Sequence, residues 1–485
     1  MPLTDSQRQI IASTAPILAE HGLTLTRHFY DNLLNKYPEL RSIFSVTSQL
    51  PPSSHQPAAL AASLYAYSTH IDDLTPILPV VEKICQKHAS LNITADQYSI
   101  VGENLLKSMA EILGPDTFTD EVRDAWASGY TQLADIMSGR EEAIYSEHDQ
   151  KQGGWRGWRK MKIVKKVKES DDATSFYFKP ADGGAIPDYR PGQYVSVTID
   201  VPELKYKQIR QYSLSDAPPA KTSGQVDGDN KTNGQVNGDN KTDGWQADYA
   251  EVNGHVPRYH HDTASKPNNL NDGTYSDLRS AYRITVKRES GIDMHHPDAE
   301  AHPGYVSNLL HDRYNEGDVI EMSNPAGEFF LDQDLSDSAP VVLISAGVGL
   351  TPVMSMLQTL LKMPNASERK ISWIHVARNK AIDPFVDDIV RIQKDHKNVT
   401  SKVFHSSPVE SEQQGVDYDA AGRPDLGAFD KEARKNLLFL DDKQARYFMC
   451  GPNPFMASNA KALSEMGVED DRVKMELFSV GSVGA

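Results

Sequence analysis

The stretch ILPVVEKICQKHASL, Ile77 to Leu91, is apolar along one helical face and ends that face on a histidine. Ile77, Val80 or Val81, and Ile84 recur at the three- and four-residue spacing of a buried α-helical stripe, and His88 falls four residues beyond Ile84 on the same side. The imidazole is therefore expected to point inward. By itself it reads as a core histidine with a hydrogen-bond partner, or as a ligand that offers a neutral ring nitrogen to a metal. The segments around it bear on that choice.

From Thr4 to about Tyr145 the pattern is helical throughout, with TDSQ as a capping start before RQIIASTAPILAEHG and Gly114-Pro115 closing a later helix. The runs LTRHFYDNLL, PELRSIF, SHQPAALAASLYAYSTHI and EKICQKH resemble, in order and spacing, the B, C, E and F segments of a globin, and in particular the globin domain of the flavohaemoglobin family. That resemblance implies a haem b with His88 as its iron ligand, because a neutral imidazole suits iron and leaves the opposite face open to a diatomic gas. It implies Phe44 as a wedge against the porphyrin, and Tyr30, Gln56 and Leu60 on the distal side. There a tyrosine hydroxyl can donate to bound O2. QLPPSSHQP carries two extra residues relative to the family pattern, so His55 stands beside Gln56 as a rival.

A ligating histidine is usually oriented by a second acceptor that raises its basicity. The resemblance supplies Tyr98, from ADQYSIVGENLL, and Glu141, from SGREEAIY. By composition Glu142 is an equal candidate; register against the family selects Glu141. Lys87 is carried over as a tuner of haem potential, and Cys85 is most simply a core residue.

After EHDQKQGGWRG, which reads as a linker, the texture changes to short β-branched and aromatic runs: KIVKKV, TSFYFKP, QYVSVTI, RQYSLS, YRITVKRE and DVIEMS. This spacing predicts a small antiparallel barrel. YRPGQYVSV followed by IRQYSLS looks like the flavin strands of the ferredoxin-NADP reductase superfamily, and the likeness implies FAD held by Tyr189, Arg210, Gln211, Tyr212 and Ser213. Arg210 can neutralise a pyrophosphate with its planar fork of donors, Tyr212 can lie against the isoalloxazine, and Ser213 can reach the reactive ring nitrogen. In GYVSNLLHDRY, Ser307 is expected to cap a short helix whose amides face the pyrophosphate.

From Pro340 apolar strands alternate with helices, the pattern of a doubly wound α/β sheet. VVLISAGVGLTPVMSML is strand, Gly-x-Gly turn and helix; Gly347 and Gly349 allow backbone near a phosphate and Thr351 can add a hydroxyl. The third glycine of the usual dinucleotide fingerprint is replaced by TP, and no acidic residue closes the next strand, SWIHVARN. The reductase superfamily has this same GxGxTP form, which assigns Gly347, Val348, Gly349, Leu350, Thr351 and Pro352 to NAD(P)H. Its second motif, YFMCGPNPFM, assigns Cys450, Gly451 and Pro452. At the end of the chain Glu476, Leu477, Phe478, Ser479 and Val480 fall where the family closes over the flavin, with Phe478 covering the ring. The family usually continues Phe-Gly-Pro there, unlike this chain.

The expected organisation is thus multidomain: an all-α globin over 1–150, an antiparallel β-barrel FAD domain over 155–335, and an α/β NAD(P) domain over 340–485. A near-repeat, GQVDGDNKTNGQVNGDNKTDG from Gly224 to Gly244, lies in an insertion over about 217–280 between two barrel strands. Polar and Gly-rich, it cannot bury enough apolar surface to offset its ordering entropy, and DMHHPDAEAH is a smaller insertion. The net charge of -17 opposes nucleic-acid or membrane-surface binding, and two distant cysteines fit a reducing compartment. No targeting segment is evident at MPLTDSQRQIIAST, so the cytoplasm is the expected location, with no obligate protein partner. The resemblance as a whole implies a nitric oxide dioxygenase: NAD(P)H reduces FAD, FAD reduces haem, and O2 at the ferrous haem oxidises NO to nitrate. An NAD(P)H-driven oxidase or peroxide reductase, and a non-enzymatic gas sensor, are the rival readings.

Overall fold

The structure is a computed structural model that describes residues 2–44, 55–219, 278, 280–289, 304–332, 335–336, 338–364 and 366–478. The repeat from Gly224 to Gly244 and DMHHPDAEAH lie outside the described residues.

Among the described residues six α-helices open the chain: α1 (Asp5–Ser13), α2 (Ala15–Lys36), α3 (His55–Thr69), α4 (Leu78–Ser90), α5 (Ala95–Leu113) and α6 (Asp120–Gln150). Their ends follow local chemistry. Thr4 accepts from the Gln7 backbone amide while Gln7 reaches back to the Thr4 amide, the reciprocal cap expected of TDSQ and a contribution of about 1 kcal/mol. Gly114, at φ +73°, ends α5 in a conformation that a β-carbon would strain. Helices α2 and α3 cross closely because Gly22 meets the Ala61 methyl, and the Thr26 hydroxyl donates to the Pro57 carbonyl at 2.8 Å. On α4 the inward stripe runs through Ile77, Val81 and Cys85, whereas Val80 faces solvent at 55% exposure, which decides between the two valines.

The second region is a six-stranded antiparallel sheet: β1 (Arg159–Lys168), β2 (Ala173–Pro180), β3 (Tyr194–Val201), β4 (Tyr206–Ser213), β5 (Tyr282–Lys287) and β6 (Val319–Met322). Its order is β4-β3-β6-β1-β2-β5, and a bridge between Leu214 and Ile284 joins the two edges into a barrel. Alternate residues such as Val195, Val197 and Ile199 fill the interior with Phe176, Phe178 and Ile284, as the two-residue strand period requires. In chain order β4 and β5, the strands that close the seam, are the two on either side of residues 217–280. Helix α7 (Tyr305–Asp312) covers one end, and the Lys166 ammonium donates to the His311 carbonyl in its last turn and to the Tyr314 carbonyl just beyond it, at 2.7 and 2.8 Å.

The third region has β7 (Val341–Ala346), α8 (Leu350–Leu360), β8 (Ile371–Ala377), α9 (Val386–Asp395), β9 (Val399–His405), β10 (Ala420–Ala421), α10 (Lys431–Asn436), β11 (Arg446–Cys450), α11 (Asn453–Glu465) and β12 (Val473–Glu476). All strands are parallel in the order β10-β9-β8-β7-β11-β12, with buried residues on both faces. Strand β12 is a finding beyond the sequence reading, which treated VKMELFSVGS only as a terminal cover. Its four residues are too few to display a period, and pairing with β11 is what makes them a strand.

Candidate functional site

The first constellation sits where α4, α5 and α6 meet. His88 Nδ1 lies 2.8 Å from Glu141 Oε1 and 3.0 Å from the Tyr98 hydroxyl, which itself donates to the same Glu141 oxygen at 2.5 Å. Glu141 is 2% exposed. Glu142, one position along the helix, turns out to solvent and pairs with Arg156 at 2.7 Å. Burial, and then the bond to Glu141, push the Tyr98 phenol well above its ordinary range, so Tyr98 remains a donor. Its position is fixed in turn by Tyr130, whose hydroxyl donates to the Tyr98 carbonyl at 2.6 Å. With Nδ1 engaged by a carboxylate, Nε2 is the nitrogen left to meet a metal, which is the fit a porphyrin iron requires.

Tyr30 is buried, edge-on to Phe44 at 5.4 Å between ring centres, and burial raises its phenol above the usual range. Leu60 is half-buried against the same helical core. In the first turn of α3, His55 is exposed and Gln56 half-buried. Lys87 is half-buried next to His88, and desolvation pulls its ammonium below the lysine range, against the attraction of Glu476.

The C-terminus of α4 abuts the barrel. Ser90 accepts from Gln211 Nε2 at 2.8 Å and from the Ser196 hydroxyl at 3.1 Å. Gln208 Nε2 donates to the Arg41 carbonyl at 2.8 Å. The flavin-type strand thereby lies two residues from His88. Ser90, Ser196 and Gln208 were missed in the sequence, because single polar residues that meet only in three dimensions leave no spacing signal.

On β4, Arg210 hydrogen bonds the neutral oxygens of Gln208 and Ile209, at 3.3 and 2.7 Å. Burial pulls its guanidinium below the arginine range, and only the Tyr212 phenol opposes that pull. A desolvated cation whose described partners are neutral fits an anionic group such as a pyrophosphate. Tyr212 is half-buried and Ser213 buried. The Tyr189 ring stacks edge-on with Tyr282 and its hydroxyl donates to the Asp216 carbonyl at 2.6 Å, so Tyr189 offers its ring alone. Ser307 corrects the sequence reading: Gly304 is the cap of α7, and Ser307 is its third residue. The Ser307 hydroxyl donates to the Gly304 carbonyl and accepts from the Glu289 amide, pinning the helix to the end of the β5 segment.

In the Gly-x-Gly turn, Gly347 takes φ +52°. Gly349 needs its missing side chain because a Cβ would run into the Cys450 carbonyl, so this glycine serves strand packing as much as any phosphate. The Thr351 hydroxyl is buried and donates back to the Val348 carbonyl at 3.0 Å, within its own turn. Val348 is half-buried, whereas Leu350 and Pro352 lie in the core. Cys450 is fully buried at the end of β11, with Gly451 half-buried and Pro452 exposed beyond it. Burial raises the Cys450 thiol far above the nucleophilic range, so it packs and does not attack. Glu476 ends β12; burial lifts its carboxyl to about 7 against the opposing Lys83 and Lys87. Leu477 is buried and Phe478 is 51% exposed, while Ser479 and Val480 lie outside the described residues.

Comparison with known proteins agrees with this arrangement. The globin family matches residues 27–137, and the oxidoreductase NAD-binding domain matches residues 343–461. The flavohemoprotein of Bordetella bronchiseptica is 41% identical over 99% of this chain and 100% of its own length. That of Rhizobium meliloti is 37% identical over 98% of both chains. A crystal structure of flavohemoglobin from Malassezia yamatoensis, determined with bound FAD and heme, shares the fold at a TM-score of 0.69 and 22% identity, covering 98% of this chain and 100% of that one. The order of the three regions and the full-length likeness lead to one conclusion: the chain belongs to the flavohemoprotein family.

Proposed function

We propose that the protein is an NAD(P)H-dependent nitric oxide dioxygenase carrying haem b and FAD. When bound, FAD would supply the change from the two-electron chemistry of the nicotinamide to the one-electron chemistry of a haem, at which O2 would oxidise NO to nitrate. The observation that carries this reading is the contact between Ser90 and Gln211, which sets the helix of the candidate iron ligand directly against the candidate flavin strand.

Each residue then has a task. His88 would hold the iron through Nε2 while Glu141 and Tyr98 fix its ring and increase its electron donation. Tyr30 would donate a hydrogen bond on the opposite side, with Phe44 and Leu60 excluding water. Arg210 would balance the cofactor phosphates, Tyr212 would support the flavin ring, and the turn from Gly347 to Pro352 would receive the dinucleotide. Phe478 would cover the flavin until nicotinamide displaces it. Among the described residues no helix is long and apolar enough to cross a membrane. We place the protein in the cytoplasm, acting on NO and O2 without an obligate partner.

The test is NADH-dependent consumption of NO by aerobic, cofactor-loaded protein, set beside consumption of peroxide. Nitrate formed in proportion to NO supports the reading. Faster turnover of peroxide with negligible NO loss would assign the His88, Tyr98 and Glu141 arrangement to O–O cleavage instead.

A further inference from the structure

The nucleotide region contains a buried ionisable cluster that the function above does not use. His405 closes β9 with a fully buried side chain, and its Nδ1 lies 2.8 Å from Glu412 Oε2. Its Nε2 faces Asp383 Oδ2 at 3.8 Å, and on the other side Asp383 Oδ1 stands 3.2 Å from Nε2 of His375. His375 Nδ1 meets the Ser345 hydroxyl at 2.8 Å. The Asp383 and Glu412 side chains are 5% exposed. Two carboxylates without a cation there would be too costly to bury. Among the described residues no group of three or more such side chains is arranged to hold a metal ion. The proton is the cation that this geometry accommodates, and His405, facing a carboxylate on each side, is where it belongs. Burial opposes protonation of His405, but the two carboxylates outweigh it and raise the imidazole above the ordinary histidine range. Tyr418, tilted against the imidazole at 5.0 Å between ring centres, and Asp417, paired with Lys380 at 2.7 Å, complete the groups around it.

The location gives the cluster a role. Asp383 belongs to the segment after β8 that begins at Arg378; Glu412 belongs to the segment after β9. Glu412 Oε1 also accepts from the Lys380 amide at 2.7 Å, and the Ser406 and Ser407 amides donate to the Ala377 and Arg378 carbonyls. Both segments lie at the carboxyl ends of parallel strands, the edge where such sheets bind ligands. With the Gly-x-Gly turn after β7, and with Cys450 ending β11 on the opposite side of β7 from β8, a dinucleotide whose nicotinamide lies at Cys450 and which stretches across this edge puts its adenosine end over β8 and β9. We propose that His405 is a positioning residue for the adenosine end of the nicotinamide dinucleotide: as an imidazolium between Asp383 and Glu412 it locks the segment after β8 to the segment after β9. The proposal rests on the NAD(P)H reading of this region. Loss of the proton leaves Asp383 and Glu412 without their shared cation, so that the backbone bonds of Lys380, Ser406 and Ser407 hold the two segments alone; the junction loosens, and dinucleotide affinity falls while hydride transfer, set at the β11 side, does not.

The experiment is steady-state reduction of ferricyanide by NADH with the full-length holoenzyme, from about pH 6 to about pH 9. The expected wild-type result is a KM that rises with pH above an inflection, by up to about tenfold per pH unit for one proton, with kcat unchanged. His405→Gln should show a high KM at every pH, and Glu412→Gln should move the inflection to lower pH. A flat KM in the wild type overturns the proposal, whether or not either variant folds. So does a His405→Gln variant with normal flavin content and a wild-type profile. Failure of NADH to reduce the wild-type flavin at any pH would instead overturn the NAD(P)H reading itself.

Discussion

His88 and Tyr98 share one oxygen of Glu141: the imidazole Nδ1 is 2.8 Å from Glu141 Oε1 and the phenol donates to it at 2.5 Å. A single buried carboxylate thus sets both the orientation and the basicity of the ring. Replacing it by an amide keeps the shape and removes the charge. Glu141→Gln is expected to retain haem, shift its midpoint potential upward, and slow NADH-dependent NO consumption by roughly 10–100-fold, the usual effect of losing an outer partner of a metal ligand. Redox titration and turnover of the same preparation check both.

Removal of the ligand itself separates the two halves of the electron path. His88→Ala is expected to abolish haem binding and leave NADH-dependent flavin reduction intact, because the flavin strands carry their own core. Absorption spectra before and after anaerobic NADH decide the matter; haem retained at full stoichiometry would refute His88 as the ligand.

Arg210 is a desolvated cation held only by neutral oxygens in the described contacts. Arg210→Leu should weaken FAD binding by about tenfold to a hundredfold, the range of a lost charge-assisted hydrogen bond. The flavin-free variant should melt no lower than the flavin-free parent, since a half-buried charge held only by neutral oxygens in the described contacts has gone. Flavin fluorescence titration and thermal melts read the two effects; a lower melt with unchanged affinity would make Arg210 structural.

Glu476 carries a pH dependence of known sign. Burial in the folded chain pushes its carboxyl up from the ordinary 4.5 to about 7. Between those values the folded chain keeps a proton that the unfolded chain has released, so the contribution to stability is full below 4.5 and is lost as the pH rises through 7. A displacement of this size corresponds to roughly 3 kcal/mol between the protonation states. Urea unfolding at about pH 5 and about pH 8 should show a smaller loss of stability in Glu476→Gln than in the parent.

What the sequence disclosed follows from the range over which each feature acts. Helix caps, strand alternation and the Gly-x-Gly turn are local, and Thr4, Val195 to Ile199 and Gly347 behave as their neighbours dictate. The convergence of His88, Tyr98 and Glu141 spans 53 positions and was expected only because a family resemblance supplied the register. Glu142 had the same composition and helix, and only packing turns it outward. Ser307 and Thr351 show a different limit: a hydroxyl near a phosphate-type turn looks like a ligand group, and only the fold shows that each also donates to a carbonyl three residues back, with Gly304 and not Ser307 as the cap. The cluster of His375, Asp383, His405 and Glu412 has no motif at all, because four separate segments deliver it.

Gly349 supplies the sharpest test of the nucleotide turn. A β-carbon at this position would collide with the Cys450 carbonyl and crowd the Gly451 amide, both backbone atoms that cannot step aside as a flexible side chain would. Relief requires β11 and the turn after β7 to separate, and those two elements carry the residues proposed to receive the pyrophosphate and the nicotinamide. Gly349→Ala should therefore destabilise the protein by about 1–3 kcal/mol, the range for overpacking a filled site, and should slow flavin reduction by NADH far more than reduction by dithionite. Gly347 offers the control. A Cβ there meets nothing within 4 Å, and its φ of +52° is the constraint. Gly347→Asn, a residue that tolerates the left-handed region, should be milder in both measurements. Equal effects of the two substitutions would mean that the turn's backbone conformation, and not its closeness to Cys450, governs nicotinamide binding.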